Sequence, residues 1–519
     1  MSKPTNTSVA ARQNRYNAVI DIRRDAIQAK LNAKRTPHSK PLVSVNDPPP
    51  EAARVAALLT AWRNNPQDLE ALKTNVLHFQ NRSAPPVDEF ADFFVTSGMQ
   101  WLVDSLQDAP PEYIGCVVEL FSYLSKSDNP AFADVIMESQ YCSFLQQLIA
   151  TAPPPPPEVV KDILWFWANL CGEGLVVRNY LLQLGVVNTV ADYLILNWGV
   201  DHCLATSAWL MERLCSGLPL PDFRAIEPIL PVIWHMLEYS IVNQDNEMQI
   251  DLLKLLTNLL GFDVNLLQNT LSRDLLTALM KSGDQPYTRG LSEYCLRFFV
   301  NLTNVSDRHC IILEDMGFVD FLENRLRLNS SDEAHLSEIF KCLTNVLFGT
   351  HQLVQVLLQR PYVCEMVKAA LASSVYVVEV EAMFLVANAF YFAKSFEDIV
   401  AVANLDESHE LLYWITGRDP ELSEIIVTAL NQVIDMVFIL GNDSEVERDK
   451  IVDFANVWFL SNEMSDILSA YMQNEISPKA YKTATELADR IDSLKKIFEM
   501  TEQAIMSSIR EIVHTKYEF

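Results

Sequence analysis

The feature that most limits how this chain can fold is a polar residue that returns at near-constant spacing. Asn169, Arg213, Asn258, Asn301, Asn345, Asn388 and Asn431 follow one another at 44, 45, 43, 44, 43 and 43 residues. Each stands near the end of an apolar run of helical length, as in LWFWANL, LLKLLTNLL, LRFFVNLT and IFKCLTNVL. A second marker keeps the same phase: Gly185 lies 16 residues after Asn169, and Gly317 lies 16 after Asn301. Each glycine precedes two apolar residues, Val186-Val187 and Phe318-Val319, which suits a helix end followed at once by a new helix.

A period in the low forties built from helix-length apolar segments predicts an all-α solenoid of armadillo or HEAT type. The rest of the composition agrees. The chain has 519 residues, more than a single core can use, and only 14 glycines, too few for a fold rich in hairpins. Period-2 alternation bounded by turn dipeptides is almost absent, so strands are not expected. The most apolar long stretch, 424-EIIVTALNQVIDMVFIL-440, carries Asn431, Gln432 and Asp435 and reads as a buried helix rather than a membrane span.

Charge is divided unevenly. Residues 1–40 hold nine Lys and Arg against two Asp, a net +7, which leaves −34 on the remainder of a chain whose total is −27. An acidic body does not suit nucleic acid; it suits basic peptides, the protein's own arm included. Within that arm, Ile20, Ile27 and Leu31 make a helical stripe surrounded by Arg23, Arg24, Lys30, Lys34 and Arg35, and Thr36-Pro37 ends it. Nine cysteines scattered without CxxC pairs fit buried thiols in a reducing compartment. With a polar N-terminus, this gives cytoplasm and nucleus as the expected locations. No phosphate loop, HExxH or nucleophile elbow is present, so the expectation is a binding protein rather than an enzyme, with no cofactor and no metal.

The pairs Trp165–Asn169 and Trp209–Arg213 are spaced i, i+4, one face of a helix. An indole can carry the aliphatic stem of a Lys or Arg, and a carboxamide can both donate to and accept from a peptide backbone. The plainer reading of such a pair is a buried Trp with a helix-capping Asn. The proline run 153–157 reads as a stiff loop between helices. Residues 474–500 read as helix, followed by a last amphipathic helix to about Val513.

These residues together resemble importin-α, the adaptor that links nuclear localisation signals to importin-β. WFWANLCGEGLVVRNYLLQLGVV is similar to the family's third armadillo repeat and AWLMERLCSGLPLPDF to the fourth, with its L-C-x-G-x-P-x-P pattern. LRFFVNLTNV is similar to the sixth, NEISPKAY to a C-terminal motif, and 20-IDIRRDAIQAKLNAKR-35 to the importin-β-binding helix.

The resemblance implies a right-handed superhelix of about ten three-helix repeats, with a flexible basic arm (1–45), repeats (46–475) and a C-terminal helical region (476–519). It implies a major signal site at Trp165, Asn169, Glu173 and Trp209, and a minor site at Arg297, Asn301, Glu338, Asn345, Glu381 and Asn388. The implied partners are importin-β, cargo bearing basic signals, and a recycling exportin with Ran; direct contact with nucleic acid or membrane is not implied. Lys34-Arg35 resembles a short signal, which implies an arm able to compete for its own groove. The sequence also departs from the family. Val118 and Ser122 stand for a Trp–Asn pair, Lys126 for a Gly, Arg213 for an Asn, and Lys341 and Phe384 for Trp residues. Ala26, Ile27 and Ala33 thin the basic cluster of the arm. Cations at Lys126 and Arg213 are expected to oppose a cationic cargo, and the alternative function is an armadillo scaffold with reduced or lost signal binding.

Overall fold

A computed structural model describes residues 52–80, 87–198, 201–262, 271–284, 289–329, 332–350, 353–406, 410–416, 419–440, 448–474 and 477–517. The importin-β-binding-like arm, including Arg23, Arg24, Lys30, Leu31, Lys34 and Arg35, lies outside the described residues. Every regular element among them is helical.

Among the described residues ten long helices recur, most of them preceded by two shorter ones. We label the long ones α1 (Leu69–Gln80), α2 (Pro111–Leu124), α3 (Pro157–Leu170), α4 (Asp201–Cys215), α5 (Asn246–Leu259), α6 (Arg289–Val305), α7 (Glu333–Thr350), α8 (Tyr376–Phe392), α9 (Pro420–Leu440) and α10 (Pro478–Tyr517). The 43–45-residue period is therefore one long helix plus its two short companions. The described residues divide into two compact units, those from 52 to 298 and those from 299 to 517, with the boundary inside α6. In the first unit α1 packs on α2, α2 on α3, α3 on α4 and α4 on α5. In the second, α7 packs on α8, α8 on α9 and α9 on α10. Each repeat thus buries its apolar face against its sequence neighbours, as a solenoid does.

Local chemistry sets where the helices start and stop. Helices α2, α3, α9 and α10 begin on Pro111, Pro157, Pro420 and Pro478, where the missing N–H costs nothing and φ is already helical. Side chains cap others: Asp245 accepts from the Met248 amide at the start of α5, and Ser306 accepts from the His309 amide. Gly185 (φ 81°) and Gly317 (φ 79°) are left-handed and stand between two consecutive helices, as their shared phase predicts. The prolines 153–156 lie in the connection that precedes α3.

The core of the first unit contains a chain of aromatic contacts. Trp62 meets Phe94 and Trp101, Phe94 meets Phe121 and Phe132, and Phe121 meets Tyr141 and Phe166. In the second unit, Phe390, Phe454, Trp458 and Phe459 play the same part. The apolar stretch expected to be buried is α9, where Ile426, Val427, Leu430, Val433, Ile434 and Val437 are covered. No helix among the described residues is long and apolar enough to cross a membrane. At the C-terminus, the two expected helices are one: α10 runs unbroken for 40 residues. Its continuity follows from the sequence, which holds no Gly or Pro after Pro478.

Candidate functional site

The marker residues occupy the C-terminal halves of α3 to α9, one per long helix. The position four residues earlier divides into three chemistries. It is aromatic in α3 and α4 (Trp165, Trp209), cationic in α5, α6 and α7 (Lys254, Arg297, Lys341), and apolar in α8 and α9 (Phe384, Val427).

The aromatic part lies in the first unit. Trp165 and Trp209 meet edge to face with ring centroids 4.9 Å apart, both buried. Asn169, one turn beyond Trp165, donates from Nδ2 to Ser125 Oγ at 3.0 Å, which fixes its carboxamide. Arg213, one turn beyond Trp209, holds its guanidinium carbon 5.8 Å from that indole centroid. Its Nε lies 3.6 Å from Glu212 Oε2, an ion pair longer than a hydrogen bond but buried on both sides. Glu173 closes a short 3-10 turn, Cys171–Glu173, just after α3 and is half-buried. The structure therefore gathers Trp165, Asn169, Trp209 and Arg213 on two adjacent helices. Two of the expected obstacles change in weight. Arg213 has a carboxylate beside it, so its field on a cationic ligand is reduced. Lys126 is exposed, where solvent and salt screen it. Val118 and Ser122 on α2 are buried, and Ser122 Oγ donates to its own helix at Glu119 O, 2.8 Å away.

One turn before Trp165 on α3, Asp162 is half-buried beside Glu119 and Glu158. Burial first, then the Glu119 charge, pushes its carboxyl up to about 7.

Sequence reasoning overlooked Arg178. It sits in the helix after α3 (Leu175–Leu184), is buried, and grips the loop after α4. Nη1 donates to Ser216 O at 2.7 Å and to Gly217 O at 3.3 Å, and Nη2 donates to Pro219 O at 2.9 Å. These bonds hold the loop by its backbone carbonyls, and within it Gly217 is required by geometry. Gly217 takes φ 82° and its Cα faces Leu175 so closely that a Cβ would lie 2.9 Å from Leu175 Cδ2. The signal in the sequence was an Arg in the otherwise apolar LVVRNYLLQL helix.

The cationic part is paired on its own helices. In α5, Lys254 Nζ lies 3.6 Å from Asp251 Oδ1 and 5.0 Å from the Tyr294 ring centroid. In α6, Arg297 donates to Glu293 and stands 5.6 Å over the Tyr294 ring. In α7, Lys341 Nζ lies 3.4 Å from Glu338 Oε1 and 3.8 Å from Glu381 Oε1 of α8. The two acids expected at a minor site thus share a lysine of the chain itself. Asn345 donates weakly to Val300 O at 3.4 Å and Thr303 Oγ1 at 3.3 Å, and Asn388 to Phe384 O at 2.7 Å. Asn258 and Asn301 are half-buried on α5 and α6. Asn431 is taken by α10: it donates to Thr483 O at 2.9 Å and accepts from Arg490 Nη1 at 2.8 Å.

No protein-family profile matches the chain. A crystal structure of an engineered protein superposes with a TM-score of 0.65 at 18% identity, over 85% of this chain and 99% of that one, a likeness of fold alone. The fold is an all-α solenoid of three-helix repeats. Among curated proteins, a probable importin subunit alpha-A from Dictyostelium discoideum is 26% identical over 174 residues, 31% of this chain and 30% of the relative. Importin subunit alpha-8 from Arabidopsis thaliana is 28% identical over 106 residues, 20% and 22% of the two chains. The chain matches less than a third of either relative's length. These partial similarities relate its repeats to the armadillo repeats of importin α subunits.

Proposed function

We propose that the protein is a nuclear import adaptor that takes basic localisation signals on the α3–α4 surface. The observation that carries this reading is the Trp165–Trp209 pair, 4.9 Å apart, with the oriented carboxamide of Asn169 one helical turn away. In this reading the two indoles, nearly covered in this structure, are uncovered when a signal binds and take the stems of Lys or Arg, and the Asn169 amide exchanges its bond to Ser125 for an extended backbone. Glu173 supplies a carboxylate for a cationic side chain at the end of that row. In this reading, residues 1–45 bind importin-β, the region 476–519 contacts a recycling exportin with Ran, and the protein moves between cytoplasm and nucleus. It performs no catalysis and contacts neither nucleic acid nor membrane directly.

A second reading, an armadillo scaffold for other proteins, is favoured by the self-paired cations Lys254, Arg297 and Lys341. Titration calorimetry of the full chain with a lysine-rich signal peptide distinguishes the two. The adaptor reading expects binding that Trp165→Ala weakens by about 1–3 kcal/mol, as for an interface aromatic anchor. It also expects importin-β capture that charge reversal at Arg23, Arg24, Lys34 and Arg35 abolishes. Absence of peptide binding together with unchanged importin-β capture in the reversed arm makes the scaffold reading the correct one.

A further inference from the structure

We propose that Lys341 is a built-in ligand: its ammonium fills a lysine pocket made by Glu338 and Glu381 and so determines how many basic clusters this chain can read.

Three observations converge on it. The two carboxylates come from successive long helices, α7 and α8, and converge on one cation at 3.4 and 3.8 Å. All three side chains are withdrawn from water, with exposures of 10% for Lys341, 6% for Glu338 and 9% for Glu381. The same acid–cation register recurs at Asp251–Lys254 in α5, so pairing within the chain is a pattern and not a single accident.

Two buried carboxylates repel each other, and neither tolerates burial without a cation. A lysine from outside would have to displace Lys341, a group tethered at an effective concentration far above any free peptide. The tethered amine therefore wins, and this part of the ladder rejects lysine side chains. If the α3–α4 surface takes one basic cluster, as proposed above, the chain reads signals with one cluster and gains nothing from a second.

The pocket itself can be tested without assuming that reading. Lys341→Ala in the full chain leaves both acids and a cavity the size of the lost amine. Its melting temperature should fall, and n-propylammonium chloride should restore it in a dose-dependent way. Tetramethylammonium chloride at equal ionic strength, too wide for the cavity, should not. Wild type should respond to neither. Should Lys341→Ala not fold, Lys341→Ala with Glu338→Gln removes the repulsion and should still respond, more weakly, to n-propylammonium. Equal responses of wild type and variant, or no specific response in either variant, overturn the inference. A calorimetric titration then reads the consequence. Wild type should bind one single-cluster peptide per chain and Lys341→Ala two; two in wild type also overturns it. No peptide bound by wild type, with n-propylammonium rescue intact, removes the adaptor reading and leaves the lysine pocket standing.

Discussion

Replacing Arg178 with Met should release the loop that follows α4, and the structure gives the size of the effect. To the loop, the guanidinium makes two good charge-assisted bonds, to Ser216 O at 2.7 Å and Pro219 O at 2.9 Å, and a longer one to Gly217 O at 3.3 Å; Nε and Nη2 also donate to Asn179 Oδ1 at 3.1 and 2.9 Å. Bonds from a charged donor contribute about 1.5–3 kcal/mol each, so the two good ones total about 3–6 kcal/mol. Ser216 and Gly217 are half-buried and Pro219 is exposed, so water can satisfy part of what is lost. Met keeps most of the aliphatic stem's packing. The net expected cost of Arg178→Met is then about 2–4 kcal/mol. Arg178→Lys keeps the charge but can point at only one or two carbonyls, and should cost about half as much. Because repeats lean mainly on their neighbours, the loss should be local. Amide hydrogen exchange is the assay, with urea unfolding of the full chain beside it. Protection should fall across residues 214–226 and stay unchanged in α8 and α9. Exchange in the 214–226 segment indistinguishable from wild type would refute the idea that this guanidinium holds the loop.

The pH dependence of stability should carry a signature of Asp162. Its carboxyl titrates near 7 when folded, above the ordinary 3.8. The folded state therefore keeps a proton that the unfolded chain releases, and this group's contribution declines as pH rises from about 4 to 7. Asp162→Asn should flatten that decline and raise stability at pH 8 by about 1–3 kcal/mol, read from urea midpoints at several pH values; a parallel curve would exclude it. Gly185→Ala should cost about 1–2 kcal/mol from left-handed backbone alone, since its nearest outside atom to a new Cβ, Gln146 Nε2, is 3.5 Å away. Gly217→Ala should cost more, because it adds the Leu175 overlap, and equal melting points for the two variants would contradict that difference.

Much of this protein was legible in the chain. A period of 43–45 residues from Asn169 to Asn431 fixes the length of the repeating unit, and helical apolar spacing fixes its content. Those are local properties: 3.6-residue periodicity, proline at a helix start, glycine where φ must be positive. Gly185 and Gly317 were readable for that reason, and so was the placement of Asn169 one turn beyond Trp165. What no spacing could reveal was which charges answer which. Lys341 reads in sequence as a lost Trp, a loose cation in a groove. Only the packing of α8 on α7 brings Glu381 to within 3.8 Å of it, 40 residues away. Arg178 reads as an Arg on an apolar helix until the loop at 216–219 folds back over it. Arg213 gains its meaning from the burial it shares with Glu212, which no linear pattern records. Electrostatic interaction depends on distance and on exclusion of water, and both are set only when the helices stack. The sequence by itself determined the repeat and the positions of its marker residues; the tertiary structure decided which of the charges beside them are paired within the chain.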